Sequence, residues 1–160
     1  MNSKEKRDRV VKEVIKPLMK KEGFKSKGLT WFKELEDAWL IVHMKNGRFN
    51  NEFTGFSFEF WFSITGKSEL SGAIEQEWIR NQMRGISQSA FLPYERFLTP
   101  YMTSFGWQID GYRNNKPTDY PVESIMAHVR EDFEQYIFPE LAKIHNQSDW
   151  TKFKEEKGVL

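Results

Sequence analysis

The chain contains no cysteine. That absence excludes disulfides, thiolate zinc sites, iron–sulfur clusters and cysteine nucleophiles. Nor does it contain a run of 18 consecutive apolar residues, so no membrane-spanning helix is expected. The opening MNSKEKRDRVVKEV carries charges where a signal peptide needs an apolar stretch, and a cytoplasmic location is the expectation. There is no internal repeat, low-complexity segment, G-x-S-x-G elbow, Ser-His-Asp order, RNP-like aromatic motif or helix-turn-helix pattern. No cofactor is expected.

What is present is a chain of 160 residues, enough for one α+β domain that buries roughly two thirds of the surface its unfolded form exposes. Net charge is +1, but residues 1–30 hold ten Lys or Arg against four Asp or Glu, and the remainder holds 14 against 19. Such asymmetry fits a solvated basic helix face or contact with a polyanion.

Phe53 to Thr65 reads FTGFSFEFWFSIT, with Phe56, Phe58, Phe60, Phe62 and Ile64 alternating against Ser57, Glu59, Ser63 and Thr65. A period of two marks a strand with one face on a core, each buried ring contributing roughly 1.5 to 3 kcal/mol. Leu29–Leu35 and Ala38–Lys45 are further strands, joined by a tight turn at Glu36-Asp37. A longer loop over residues 46–54 then sets Trp39 opposite Trp61, Ile41 opposite Glu59 and His43 opposite Ser57. The competing register uses a tight Asn46-Gly47 turn, pairs Leu40 with Phe53 and needs a bulge at Gly55. Phe105, Trp107 and Ile109 alternate in a fourth strand over 102–109, and Asn114 to Pro117 reads as a loop.

Val10, Val11, Val14, Ile15, Leu18 and Met19 share half of a helical wheel, predicting a first helix that ends near Gly23 and bends at Pro17. A helix over 70–84 is expected, stopping at Gly85. From Ile86 to Tyr101 only a short helix over Tyr94–Leu98 suggests itself. After Pro121 a stripe of Val122, Ile125, Met126, Val129, Phe133, Tyr136 and Ile137 predicts a long helix interrupted by Pro139. A last helix opens at Ser148 as N-cap and stops at Gly158.

The order of KEVIKPLMKKEGFKSKGLTWFKE, AWLIVHM, FTGFSFEFWFSI, GWQI and YIFPELAKI resembles the domain-of-unknown-function 4304 family over most of the chain. The resemblance implies an α+β fold and brings no activity, cofactor or catalytic residue with it.

Three constellations have chemical potential. His128, Glu131 and Asp132 sit at helical spacings suited to a divalent metal, with His145 as a fourth donor. Because all three point away from the Val129 and Phe133 stripe, a solvated helix face is the plainer account. On the second sheet face Trp39, Ile41, His43, Glu59 and Trp61 form an aromatic patch suited to ligand binding, unless a helix over 70–84 covers it. Within it His43 and Glu59 are candidates for acid and base. Lys12, Lys16 and Lys20 on the first helix suit salt-dependent contact with a polyanion, though specific nucleic-acid recognition is not expected. Gly66-Lys67-Ser68 resembles the end of a P-loop, but Trp61 stands where the first glycine belongs, so it reads as a plain turn.

The resulting expectation is an antiparallel sheet of about four strands with N-terminal and C-terminal helices packed on its Phe-rich face. Its function is expected to be non-catalytic binding of a protein or small ligand through the aromatic face, with no membrane contact. A hydrolase-like enzyme using His43 and Glu59, and a polyanion binder, are the alternatives.

Overall fold

A helical rod opens the chain. In the computed structural model, which describes residues 1–47, 50, 55–81, 85–103, 106–113 and 116–158, α1 (Ser3–Val10) starts at Asn2 in a reciprocal capping box with Glu5. Val11–Ile15 then widen into π geometry before α2 (Lys16–Lys21). The amide of Lys16 reaches back five residues to the Val11 carbonyl. Pro17 has no N–H, and its ring would crowd the Glu13 carbonyl in a regular α-turn. The bend expected at Pro17 therefore takes the form of a widened turn. Gly23, at φ 86°, closes the rod, with Phe24 N–H donating to the Met19 carbonyl at 3.0 Å.

Seven strands form one antiparallel sheet: β1 (Lys25–Lys27), β2 (Thr30–Glu34), β3 (Ala38–Asn46), β4 (Phe56–Gly66), β5 (Ile86–Ser87), β6 (Met102–Thr103) and β7 (Gly106–Ile109). Their order is β1-β2-β3-β4-β7-β6, with β5 on β4. About four strands were expected; β1, β5 and β6 are only two or three residues long and too short to show a period. The single strand expected over 102–109 is a hairpin, β6 with β7. Gly106 sits at φ 127°, where an added Cβ would collide with the Phe58 carbonyl oxygen, so glycine is what lets β7 close on β4.

The turn at Glu36-Asp37 is tight, since Leu35 N–H donates to the Ala38 carbonyl. Between β3 and β4 the register is shifted by four residues from the one expected: His43 pairs with Trp61, Trp39 with Thr65, Ile41 with Ser63 and Glu59 with Lys45. Pairing continues to Gly47, whose N–H donates to Ser57, and the Asn50 amide brackets Ser57 on both backbone groups. The polar end of the loop, not a bulge, thus fixes the register. Residues 48, 49 and 51–54 of the expected loop lie outside the described residues. A shift by four preserves parity, so Phe58, Phe60 and Phe62 still face Leu40, Val42 and Met44 in the core. Phe60 N–H, between the stretches of β4 paired to β7 and β5, is satisfied by the buried Gln88 side chain at 2.8 Å.

Onto this face pack the first rod, through Val10, Val14, Ile15 and Met19, and a second one. The second consists of α4 (Val122–Glu131), a π segment over Asp132–Ile137 and α5 (Phe138–Leu141). Here too the residue before proline, Phe138, donates to a carbonyl five residues back, that of Phe133. The last helix, α6 (Gln147–Glu156), is capped by Asn146 accepting from the Asp149 amide, not by Ser148, which lies inside the first turn. Helix α3 (Ile74–Asn81) lies across β2, β3 and β4; residues 82–84 of the helix expected there are outside the described set. A separate hairpin, β8 (Gly111–Arg113) and β9 (Lys116–Thr118), makes strand of Lys116 and Pro117, which were expected in a loop. Asn114 and Asn115 are outside the described residues.

Candidate functional site

The alternation along β3 and β4 delivers Trp39, Ile41, His43, Glu59 and Trp61 to the second face together. This face is sheltered. Lys27, placed opposite Thr30 on it, is bridged to Glu75 of α3 at 2.7 Å, so α3 lies on this side. Ile41, Ser63, Thr65 and Thr30 are buried, while Trp39, His43 and Trp61 remain half-buried. His43 Nδ1 lies 2.8 Å from the Thr30 hydroxyl. Burial, and then Lys45, hold its pKa below the ordinary histidine value. Glu59 is set against Lys45, so the direct juxtapositions expected of Trp39 with Trp61 and of Ile41 with Glu59 are replaced.

The metal candidates are not on a solvated face. Asp132 is fully buried and His128 is 8% exposed; only Glu131 is exposed. A 3-10 turn over Tyr94–Leu98 lies over them and supplies Arg96, whose Nε donates to Asp132 Oδ1 at 2.5 Å. The Trp107 indole donates to Asp132 Oδ2 at 2.8 Å. Arg96 Nη2 is 3.0 Å from His128 Nδ1. A guanidinium only donates, so Nδ1 accepts and the His128 ring proton belongs on Nε2, 3.2 Å from Asp132 Oδ2. The cluster is thereby a closed charge-and-hydrogen-bond brace that holds residues 94–99 to α4. Among the described residues no group of three or more His, Asp or Glu is arranged to hold a metal. His145 lies elsewhere, beyond α5.

A second internal brace went unread in the sequence. Lys6 Nζ contacts Asp110 at 2.8 Å, Asp119 at 2.5 Å and the Tyr120 carbonyl at 2.9 Å, and Ser3 donates to Asp110 at 2.8 Å. Burial opposes the charge on Lys6, yet its hydrogen bonds to Asp110 and Asp119 outweigh that and hold its pKa above the ordinary lysine value. Asp110, in left-handed conformation at φ 57°, turns its carboxylate back to this contact. By contrast Lys12, Lys16 and Lys20 are all exposed. Lys67, of the P-loop-like turn, is bridged to Glu34 at 2.7 Å.

A cleft of about 320 Å³ opens on the core side of the sheet, between β2 and the chain beyond α5. Its floor is apolar, built from Phe24, Leu35, Leu40, Phe138, Leu141 and Ile144. Glu22, Lys33, Glu34, Glu36 and His145 form its polar margin. The end wall is fixed by Glu36 N–H donating to the His145 carbonyl at 3.0 Å and Gln147 N–H donating to Asp37 Oδ1 at 2.9 Å. The Lys33 ammonium lies 5.7 Å from the Phe24 ring centre. Sequence reading missed this site because its walls come from four separate segments.

No protein-family model, curated protein or solved structure compared with this chain matches it.

Proposed function

We propose that this protein is a non-catalytic binding module whose site is the cleft beside β2, and that its ligand is a small molecule with an apolar body. The observation that carries this reading is the cleft itself. Its volume of about 320 Å³ falls at the lower end of small-ligand sites, and an apolar floor with a few polar groups at the margin is the usual composition of such sites. The aromatic second face supports binding less well, because α3 shelters it. Acid–base chemistry by His43 and Glu59 has less support still, since their direct cross-strand partners are Trp61 and Lys45.

The test is a backbone amide NMR titration with phenylpropanol, phenethylamine and phenylpropanoate. Saturable shifts centred on Phe24, Leu35 and Leu141 are the expected result, abolished by Ala142→Phe, since Ala142 also lines the cleft and a ring there fills it. Shifts centred on Trp39 and Trp61 instead, or none with any probe, would overturn the reading.

A further inference from the structure

The exposed side of the first rod carries a line of lysines that does not line the cleft. We propose that Lys12, Lys16 and Lys20 form a docking strip for the phosphate backbone of double-stranded nucleic acid, read without regard to sequence. The three lysines recur every fourth residue along one continuous rod and are all exposed. At a rise of about 1.5 Å per residue their stems span about 12 Å. A duplex strand presents one phosphate per about 3.4 Å of axis, so this strip faces three to four phosphates. The nearest carboxylate in sequence, Glu13, is already engaged by Arg9 at 2.6 Å.

What the strip lacks excludes the other occupants. The rod's large side chains Val10, Val14, Ile15 and Met19 are sealed in the core, leaving no apolar face to enter a bilayer. A protein interface draws its affinity from buried aromatic or arginine anchors and is depleted of lysine, and this strip presents neither anchor. Residues 31–160 carry 14 basic against 19 acidic residues, so repulsion elsewhere directs a polyanion to this side.

Fluorescence anisotropy with a labelled 20-base-pair duplex of arbitrary sequence tests the assignment. Three lysine–phosphate contacts give a slope of log K against log salt of about −2.7, or about 40-fold weaker binding at 200 mM than at 50 mM NaCl. Lys12→Gln/Lys16→Gln/Lys20→Gln, checked for folding by circular dichroism, is expected to abolish both the binding and the slope. Lys45→Gln/Lys143→Gln/Lys152→Gln removes the same charge from other exposed positions and is expected to retain them. Equal loss in both triple variants, salt-insensitive binding, no binding at 50 mM, or binding to phosphatidylserine vesicles but not to the duplex would each overturn the proposal.

Discussion

The two helical rods that pack on the Phe-rich face answer the same difficulty in the same way and fill their buried sides differently. Each has a proline, Pro17 or Pro139, and each widens the turn just before it so that the preceding amide reaches five residues back. A wider turn brings adjacent residues inward in pairs: Val10 with Val11 and Val14 with Ile15 in the first rod, His128 with Val129 and Asp132 with Phe133 in the second. The first rod's pairs are wholly apolar and rest on the sheet through area alone. In the second, one member of each pair is polar and is tolerated because Arg96, Thr99 and Trp107 surround it. The difference teaches that the widened turn sets how many residues face inward, while the overlying 94–99 segment decides which of them can be polar.

Breaking the polar brace should have the largest effect. Arg96→Met strips the buried Asp132 carboxylate of its cation, a loss that costs about 3–5 kcal/mol, measured as a lowered midpoint in urea unfolding. Adding His128→Leu and Asp132→Leu makes the second rod's inward pairs apolar, like Val10 with Val11 and Val14 with Ile15. Most of the loss should then be recovered, with the Trp107 indole left as the group without its carboxylate. Retention of the full loss in the triple variant would show that the brace contributes more than its own satisfaction.

At the apolar pairs of the first rod, where area is at stake, Ile15→Val is expected to cost about 0.5–1.5 kcal/mol by the same measurement. Pro17→Ala and Pro139→Ala should each change stability by less, about 1 kcal/mol or under, because both prolines are exposed and the widened turns are held by the buried pairs. Amide exchange at Lys16 and Phe138 checks this: protection that survives the substitution places the cause in the packing, and protection that vanishes places it in the proline.

The smallest effect concerns His43, half-buried on the second face beside Thr30. His43 has a folded pKa below its ordinary value, so the unfolded chain binds its proton first as pH falls. Its contribution to stability is present above pH of about 6.5 and declines below it, towards the folded pKa. His43→Gln should therefore flatten the stability–pH curve just below that point, read from urea midpoints at successive pH values. An unchanged curve would remove His43 from the acid response.

How much of this was legible follows the same physics. The parity of Phe56 to Phe62, the Glu36-Asp37 turn, the helix over Tyr94–Leu98 and the stop at Gly23 each depend on neighbours in sequence, and each emerges as read. The β3–β4 register depends on Asn50 reaching Ser57, a contact that periodicity does not encode, and it differs by four residues. His128 and Asp132 were assigned to solvent because a wheel of 3.6 residues per turn describes neither a π segment nor a chain crossing above it. The aromatic patch was assembled correctly by side, and a helix over 70–84 was already the plainer account of what covers it, because the apolar spacing of that segment is local. The cleft, drawn from four segments, had no local signature at all.

One outer margin of the sheet is β1, three residues long and reading Lys25, Ser26, Lys27, all exposed. An extended chain from another copy that approached this margin would meet two ammonium groups before it found an amide, and would gain at most a bond or two. Fibre growth by strand addition at this margin is thereby discouraged at its first step, by residues that take no part in the interior.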